Sequence, residues 1–235
     1  MIEEKQTVNF YELDSSIYDA SRFQDKKGSE INNTQQAIVT EFCDNVRSKK
    51  VLELAVGTGR FSKTIVSRGG NLVGVDSSIS MLKITRQKCL SVSPKPPILI
   101  RADAAKLPFR DGVFDYVVCI NALNHMPQYC DAIAESSRVV KLKGSFVFNF
   151  PCMTSILLPI ALIVNIRAKS IVRPVYSKWY TPKKIFETLF MNGLAIQVTA
   201  GHLPIGFAQR SIDKIFRKSR FRLLSGVLFI KTIKS

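Results

Sequence analysis

The amino-acid sequence predicts an α/β fold in which helices cover both faces of a mostly parallel sheet of seven strands. From Val51 onward, short apolar runs alternate with longer mixed segments. This alternation is typical of parallel strands joined by right-handed crossover helices. A chain of 235 residues with 46% hydrophobic composition is also long enough to bury a substantial core.

Residues 51–150 carry the first five strands and the helices between them. The strands are predicted over "VLELA", "NLVGVD", "PPILIRAD", "VFDYVVCIN" and "GSFVFNF". The helices are predicted over "RFSKTIVSRG", "SISMLKITRQKCL" and "CDAIAESSRVVKLK". Gly69 and Gly70 end the first helix, because glycine adopts the left-handed conformation in which many helices terminate.

One more helix and two strands complete the predicted sheet. The helix lies in "TPKKIFETLFMNG", where Thr181 is a suitable N-cap, Pro182 fits the first turn and Gly193 fits the C-terminal end. The strands are predicted over "LAIQVTA" and "GVLFIKTIK".

Two segments lie outside this alternation. Residues 1–48 contain "IYDASRF" and a predicted helix, "NNTQQAIVTEFCDNV", and we expect a helical lid that precedes the main domain of residues 49–235. Residues 151–180 are predicted to be an insertion after the fifth strand that forms a cap. Its apolar part, "TSILLPIALIVNI", is too short to span a membrane and contains Pro159.

The composition limits the classes of function. The formal net charge of +16 favours phosphates, an anionic membrane surface or an acidic substrate, although solvated surface charge explains it equally well. The five cysteines are widely spaced and include no CxxC pair, so neither a disulfide framework nor a metal site is predicted. The start, "MIEEKQ", lacks the features of a secretory signal, and we expect a cytoplasmic protein.

The turn after the first strand, in "VLELAVGTGRFS", is the first candidate binding element. Ligands of such sheets bind at the carboxyl ends of the strands. Gly57 and Gly59 lack a Cβ atom, so a ligand can lie against the backbone, and the helix that follows offers unpaired N–H groups. A tight strand-to-helix turn without a ligand is the alternative interpretation.

Three acidic residues narrow the choice of ligand. Asp76 ends the second strand, where a carboxylate can accept both hydroxyl groups of a ribose. Asp103 follows the third strand and can accept a hydrogen bond from an adenine amine, with the amide of Ala104 beside it. Glu53 lies within the first strand. A dinucleotide site would place its third glycine at Ser62, so the pattern favours a nucleoside without a pyrophosphate.

The chain resembles the class I S-adenosylmethionine-dependent methyltransferases of the small-molecule type from Val51 to about Val147. The resemblance rests on "VLELAVGTGRF", "GVDSSISML", "ADAAKLPFRDGVFDYVVCINALNHM" and "SSRVVKLKGSFVF". It implies a Rossmann-like fold and S-adenosylmethionine as the cofactor, with its methionine portion at the glycine turn. Two features depart from the family pattern, because Ala55 replaces the usual first glycine and "KLKG" replaces "KPGG".

The resemblance and the local chemistry together give a set of candidate cofactor-binding residues. Tyr18 is included because it resembles the aromatic residue that family members often place in an N-terminal lid, although ordinary helix packing explains it as well. The set comprises Tyr18, Glu53, Ala55, Gly57, Gly59, Asp76, Ser77, Asp103, Ala104 and Asn121.

The stretch "NALNHM" after the fourth strand bears on the methyl acceptor. His125 is the candidate catalytic base, and local hydrogen bonding at a helix start is its alternative role. The Asp/Asn-Pro-Pro-aromatic tetrad of amino-directed nucleic-acid enzymes is absent from this stretch, and we expect no DNA substrate. The sequence favours a small-molecule or lipid-like acceptor methylated on oxygen or carbon. RNA methylation and a non-catalytic accessory protein that binds S-adenosylmethionine remain the alternatives.

The insertion also suggests where the protein acts. Residues 154–166 are uncharged and rich in Leu and Ile, and Arg167, Lys169, Arg173 and Lys178 follow them. An apolar segment followed by cations suits peripheral contact with an anionic membrane. A cap buried against the protein itself is the alternative.

Overall fold

The computed structural model describes residues 2–156, 176–203 and 220–235. Its sheet has seven strands in the order β3-β2-β1-β4-β5-β7-β6. Strand β7 is antiparallel to both β5 and β6, whereas the pairs among β1 to β5 are parallel, so the predicted mostly parallel sheet is confirmed. The strands are β1 (Lys50–Leu54), β2 (Asn71–Asp76), β3 (Ile98–Arg101), β4 (Phe114–Cys119), β5 (Val140–Pro151), β6 (Leu194–His202) and β7 (Val227–Lys234).

Helices lie before the sheet and between its strands. They are α1 (Ile2–Asp14), α2 (Tyr18–Phe23), α3 (Lys26–Phe42), α4 (Arg60–Ser67), α5 (Ile79–Leu90), α6 (Tyr129–Val139) and α7 (Pro182–Met191). Short 3₁₀ helices occupy Leu123–His125 and Arg220–Leu224.

The core consists of two apolar layers, one on each face of the sheet. Successive strand residues alternate between them, because side chains of a β-strand point to opposite faces in turn. Leu52 and Val117 belong to the layer under α6 and α7, whereas Val51 and Val118 belong to the layer under α3 and α4. Helices therefore cover both faces, as the sequence predicts.

The predicted ends of α7 are confirmed. The Thr181 side chain accepts a hydrogen bond from the Lys184 N–H (3.4 Å), and Pro182 begins the helix. Gly193 follows the helix in the left-handed conformation, with φ of 67°. Residues chosen for their capping chemistry thus set both boundaries of this helix.

Two predicted helix boundaries are wrong. The helix predicted over 130–143 ends at Val139, because Val140 pairs with Phe114 and the next residues join β5. The helix predicted over 32–46 begins six residues earlier, at Lys26, where the Asp25 side chain accepts from the Gly28 N–H (2.7 Å). In both cases a specific capping or pairing contact sets the boundary.

The strand order places a crevice between β1 and β4. After β1 the chain moves outward through β2 and β3, and it then crosses to β4 on the other side of β1. The connections that leave β1 and β4 therefore diverge at the carboxyl edge, which is the usual ligand position in such sheets. The predicted ligand-binding turns lie at this edge.

The described ends of the insertion lie side by side. Tyr180 N–H donates to the Pro151 carbonyl (3.1 Å), and Met153 N–H donates to the Tyr180 carbonyl (2.9 Å). Most of the apolar segment predicted to contact a membrane, with Arg167, Lys169 and Arg173, lies outside the described residues. Within the described ranges, no helix combines the length and apolar character needed to cross a membrane.

Candidate functional site

A cavity opens at the carboxyl edge of the sheet, between β1, β2 and β4 and beneath α1 and α2. It has two adjoining halves that share part of their lining. Asp103 and Ala104 line the first, which we call the β3 half, and Gly57 and Arg60 line the second, the α4 half. The lining shared by the two halves is Thr7, Ala55, Asp76, Ser77, His125 and Met126.

The glycine turn has a strained backbone that leaves space beside it. Ala55, Gly57 and Gly59 adopt positive φ values of 51°, 53° and 76°. A Cβ atom at Gly57 would meet no atom within 4 Å, so this residue borders open space in the α4 half. A Cβ atom at Gly59 would lie 2.9 Å from Thr85 Cα, so this glycine permits α5 to pack behind the turn.

Asp76 lies where the two halves of the cavity meet. Its Oδ2 accepts a hydrogen bond from the Gly57 N–H (2.9 Å), and its Oδ1 accepts one from the Ser78 N–H (2.9 Å). Burial raises the pKa of Asp76, although these two N–H groups act in the opposite direction. Each carboxylate oxygen keeps further acceptor capacity. The side chain can therefore accept two neighbouring hydroxyl groups of a ligand.

The β3 half ends at the turn after β3. Asp103 accepts a hydrogen bond from the Ala105 N–H through Oδ1 (2.9 Å), which fixes the carboxylate at the rim of the cavity. Ala104 is buried beside it. An acidic acceptor next to a small side chain leaves room for a flat polar ring.

The α4 half contains an acidic and a basic side chain from different elements. Glu53 on β1 accepts a hydrogen bond from the Ser62 hydroxyl (2.5 Å), and burial raises the pKa of Glu53 to about 8. Arg60 is the first residue of α4, and burial lowers its pKa to about 10, so it remains protonated at neutral pH. The guanidinium carbon of Arg60 lies 3.7 Å from the centre of the Phe23 ring.

Polar contacts attach the N-terminal helices to the elements around the cavity. Tyr18 on α2 lines the α4 half. The neighbouring Asp19 accepts a hydrogen bond from the Thr58 hydroxyl (2.6 Å) and forms an ion pair with Lys88. Glu12 on α1 accepts from the Ser80 N–H (3.0 Å) at the start of α5. These contacts attach α1 and α2 to the glycine turn and to α5.

Asn121 is held by polar partners from two other elements. It has φ of 57°, and its backbone N–H donates to Asn149 Oδ1 (2.6 Å). Its side-chain Oδ1 accepts from Asn149 Nδ2 (2.8 Å), and its Nδ2 donates to Gln35 Oε1 (2.9 Å). The end of β4 is therefore fixed to both β5 and α3.

His125 lines both halves of the cavity and has a defined neutral tautomer. Its Nδ1 lies 2.8 Å from the Tyr176 carbonyl oxygen, which can only accept, so Nδ1 carries the proton. Its Nε2 accepts a hydrogen bond from Asn124 Nδ2 (3.1 Å). Burial lowers the pKa of His125, which favours the neutral ring.

The structure brings the sequence-predicted site residues together, with one exception. Gly59 lines neither half, whereas every other predicted residue lines at least one. Sequence reasoning missed Arg60, whose place directly after the glycine turn was an available signal. It also missed Thr7 and Tyr11, which lie on a helix that the sequence pattern did not reveal. Within the described residues, no cluster of three or more His, Cys, Asp or Glu side chains is suited to holding a metal ion.

Known proteins resemble this chain most clearly in the segment that builds the cavity. A model of the methyltransferase domain family matches residues 52–148. A demethylmenaquinone methyltransferase of Bacillus cereus is 34% identical over 101 residues, which are 42% of this chain and 43% of that protein. Demethylmenaquinone methyltransferases of Bacillus anthracis match to the same extent. The match thus spans less than half the length of these curated relatives.

Solved structures resemble the chain over a greater length. An S-adenosylmethionine-dependent methyltransferase from Thermotoga maritima has a TM-score of 0.71 at 15% identity, covering 97% of this chain and 100% of that chain. Magnesium protoporphyrin IX methyltransferase from Synechocystis, with bound S-adenosylhomocysteine, has a TM-score of 0.65 at 17% identity. The match covers 89% of this chain and 86% of that chain. At these identities the comparison concerns the fold. Residues 52–148 match the methyltransferase domain model, and the chain has the fold of the class I S-adenosylmethionine-dependent methyltransferases.

Proposed function

We propose that the protein is an S-adenosylmethionine-dependent methyltransferase that acts on oxygen or carbon of a small-molecule or lipid-like acceptor. One observation carries the proposal: the two adjoining halves of the cavity share Asp76, with Asp103 at one end and the side chains of Glu53 and Arg60 at the other. A nucleoside that carries an amino acid has this same order of groups. The match of residues 52–148 to the methyltransferase domain supports it independently.

The β3 half suits the adenosine portion of the cofactor. Asp103 would accept a hydrogen bond from the adenine amine, and Ala104 lies beside it. The remaining acceptor sites of Asp76 would bind the ribose hydroxyls. Because the carboxylate is already oriented by the N–H groups of Gly57 and Ser78, it loses little freedom on binding.

The α4 half suits the methionine portion. The open space beside Gly57 admits a chain against the backbone, and the carboxyl group of Glu53 can face an ammonium group. The bound cofactor supplies an electrophilic methyl group on a sulfonium centre. Tyr18 and the lid contacts exclude water from this centre, and alignment of the acceptor supplies much of the acceleration.

His125 is the proposed base for acceptors that carry a hydroxyl proton. The hydrogen bond from Nδ1–H to the Tyr176 carbonyl orients the ring and leaves Nε2 as the basic nitrogen. The acceptor hydroxyl would take the place of Asn124 Nδ2 at Nε2. A neutral ring is the form that a base requires, and burial favours it.

An apolar acceptor is supported by the lining and by the relatives. Tyr11, Ile120 and Met126 contribute apolar and aromatic surface to the α4 half. The relatives with 34% identity are named for demethylmenaquinone, a quinone. Their match lies within the segment that builds the cofactor cavity, so it supports a lipid-like acceptor without specifying one.

Calorimetry with S-adenosylhomocysteine tests the cofactor assignment. Asp76→Ala removes the acceptor for the ribose hydroxyls, and we expect affinity to fall about tenfold or more. Asp115→Ala is the matched control, because Asp115 also accepts a backbone N–H, from Lys50 (2.8 Å), but at the amino edge of the sheet. Unchanged affinity in Asp76→Ala, with the control also unchanged, would contradict the ribose assignment.

Radiolabelled S-adenosylmethionine and fractionated cell extract test the acceptor class. We expect label in the lipid or small-molecule fraction, and the Asp76→Ala variant should reduce it at low cofactor concentration. Label in the RNA fraction would favour the RNA alternative. Stoichiometric cofactor binding without transfer to any fraction would favour the accessory protein.

Peripheral contact with an anionic membrane is a further part of the proposal. It rests on the uncharged segment 154–166 and the cations that follow it in the sequence. Flotation with anionic vesicles should occur at low salt and weaken at high salt. The triple change of Leu157, Leu158 and Ile163 to Ser should abolish flotation and leave cofactor affinity unchanged. Failure of the unmodified protein to float would contradict membrane contact.

A further inference from the structure

Three consecutive residues at the end of the insertion are bonded to the 3₁₀ helix that carries His125. The His125 Nδ1–H donates to the Tyr176 carbonyl (2.8 Å). The Asn124 Nδ2 donates to the Ser177 hydroxyl (3.2 Å), and the Lys178 N–H donates to the Asn124 carbonyl (2.9 Å). The insertion therefore holds the loop after β4 at three successive positions, and the first of these bonds sets the tautomer of His125.

Helix α1 contacts the same segment. The Thr7 hydroxyl oxygen accepts a hydrogen bond from the Tyr176 N–H (3.1 Å), so one residue of the insertion is bonded to both α1 and His125. Tyr11, one helical turn beyond Thr7, contacts the His125 ring edge-on, with 5.9 Å between the ring centres. Residues four positions apart lie on one face of a helix. A single face of α1 therefore contacts His125 directly and also through the insertion.

The direction of each hydrogen bond in this series is fixed. A backbone N–H can only donate and a backbone carbonyl can only accept, so Thr7 is the acceptor and His125 Nδ1 is the donor. Thr7 is buried, and loss of its oxygen would leave the Tyr176 N–H without this partner in a partly buried place. We expect the Tyr176 backbone to shift toward another partner, which would weaken the bond between its carbonyl and His125.

We propose that Thr7 is a positioning residue for the base: docked α1 fixes the Tyr176 carbonyl, and this carbonyl keeps the proton of His125 on Nδ1. The inference rests on the proposed function and adds to it that the base is formed only while α1 is docked. Glu12 supplies a docking contact, because its carboxylate accepts from the Ser80 N–H (3.0 Å) at the start of α5.

The reaction requires this tautomer for an acceptor that carries a hydroxyl group. The acceptor oxygen forms a bond to the methyl carbon as the carbon–sulfur bond breaks, and the electron pair of the broken bond stays on sulfur. The hydroxyl proton moves to Nε2 of His125. In the other neutral tautomer Nε2 already carries a proton and cannot receive one.

A purely structural role for Thr7 makes a different prediction. If its hydrogen bond only attaches α1 to the insertion, its loss lowers the melting temperature and leaves the His125 ring unchanged. A positioning role changes the ring as well, because the tautomer with the proton on Nε2 becomes populated. The chemical shifts of the two ring nitrogens report the tautomer, and the measurement requires neither cofactor nor acceptor.

NMR of Thr7→Val with isotope-labelled histidine is the primary test. The chain has two histidines, so His125→Gln assigns the His125 signals, and His202 on β6 is an internal reference. At about pH 8 the ring is neutral, and we expect the Nδ1–H tautomer to dominate in the unmodified protein. The ratio of Nδ1–H to Nε2–H tautomers should fall about threefold to tenfold in Thr7→Val, and Thr7→Ser should restore it.

Thr64→Val is the matched control. The Thr64 hydroxyl donates to Gln36 Oε1 (2.9 Å), a contact between α4 and α3 that involves neither His125 nor the insertion. The same substitution should therefore lower the melting temperature and leave the tautomer ratio unchanged. Glu12→Ala weakens the docking of α1 while Thr7 stays in place, and we expect the ratio to fall about twofold or more.

The outcomes separate the inference from the function on which it rests. A lower ratio in Thr7→Val and Glu12→Ala, with recovery in Thr7→Ser, supports the positioning role. An unchanged ratio in Thr7→Val overturns it, and an unchanged ratio in Glu12→Ala overturns the dependence on docked α1.

Transfer of radiolabel from saturating S-adenosylmethionine to the fractions of cell extract completes the test. The rate should fall with the tautomer ratio in Thr7→Val and recover in Thr7→Ser. An unchanged rate in Thr7→Val despite an altered tautomer would overturn the role of Thr7 in the reaction. If the unmodified protein gives the expected spectrum but transfers no label, the proposed function fails and the positioning of the ring stands.

Discussion

Gly57 and Gly59 both have positive φ but different surroundings, and alanine at each should give a different defect. The Cβ atom of Gly57→Ala would enter the open space of the cavity, whereas that of Gly59→Ala would lie 2.9 Å from Thr85 Cα. We expect the first variant to lose cofactor affinity and the second to lose stability.

The size of each effect follows from this geometry. Alanine in the left-handed conformation costs roughly 1 to 2 kcal/mol, and the lower entropy of the unfolded chain returns about 0.4 to 1 kcal/mol. Gly57→Ala should therefore lower the free energy of unfolding by about 1 kcal/mol. Gly59→Ala adds about 1 to 3 kcal/mol of overpacking against α5, for a total of roughly 2 to 4 kcal/mol. Ala55, at φ of 51°, demonstrates that the chain tolerates alanine in this conformation.

Urea denaturation and calorimetry measure the two effects separately. Gly57→Ala should bind S-adenosylhomocysteine about tenfold or more weakly, because its methyl group occupies ligand space. Gly59→Ala should keep an affinity within about threefold of the unmodified protein at a temperature where it is folded. Full affinity in Gly57→Ala would refute the position of the ligand. Equal stability of the two variants would refute the role of the Thr85 contact.

Three further predictions concern titration, catalysis and the lid. Burial raises the pKa of Glu53 to about 8 from 4.5, so the native state keeps a proton that the unfolded state has lost. The free energy of unfolding should therefore fall as pH rises across that interval, and Glu53→Gln should remove this fall in urea titrations. A Glu53→Gln profile with the same pH dependence as that of the unmodified protein would contradict the assignment to Glu53. His125→Ala should lower the maximal rate roughly a hundredfold and leave S-adenosylhomocysteine affinity intact, whereas a loss below about threefold would exclude a base. Glu12→Ala should speed amide hydrogen exchange in α1 and α2 but not in β1, because it breaks the contacts of Glu12 with α5. Exchange rates in α1 and α2 equal to those of the unmodified protein would contradict a stabilising role for these contacts.

Much of the sheet could be predicted from the sequence because its strands are continuous apolar runs. Asp76 and Asp103 were found for a related reason, since each directly follows such a run and the carboxyl ends of parallel strands share one edge. The position of β7 between β5 and β6 could not be predicted. It depends on pairing between distant segments, such as Phe148 with Ile230, and no local pattern encodes it.

The cavity-lining residues of the N-terminal helices were harder to predict than those of the sheet. Helix α1 mixes polar and apolar residues without a clear apolar face, so nothing in its sequence marked Thr7 or Tyr11 as cavity residues. Arg60 was overlooked because its partners, Asn32 and Gln35, lie on α3 and approach only through tertiary packing. The sequence therefore identifies the sheet side of this site better than its helical cover.

A crystal structure of the protein with S-adenosylhomocysteine would test the central claim most directly. The account predicts adenine beside Asp103 and Ala104 in the β3 half and the ribose hydroxyls within hydrogen-bond distance of Asp76. It also predicts that the amino-acid portion lies along Gly57. A ligand bound in the reverse direction, with adenine in the α4 half, or bound outside this cavity, would contradict the account.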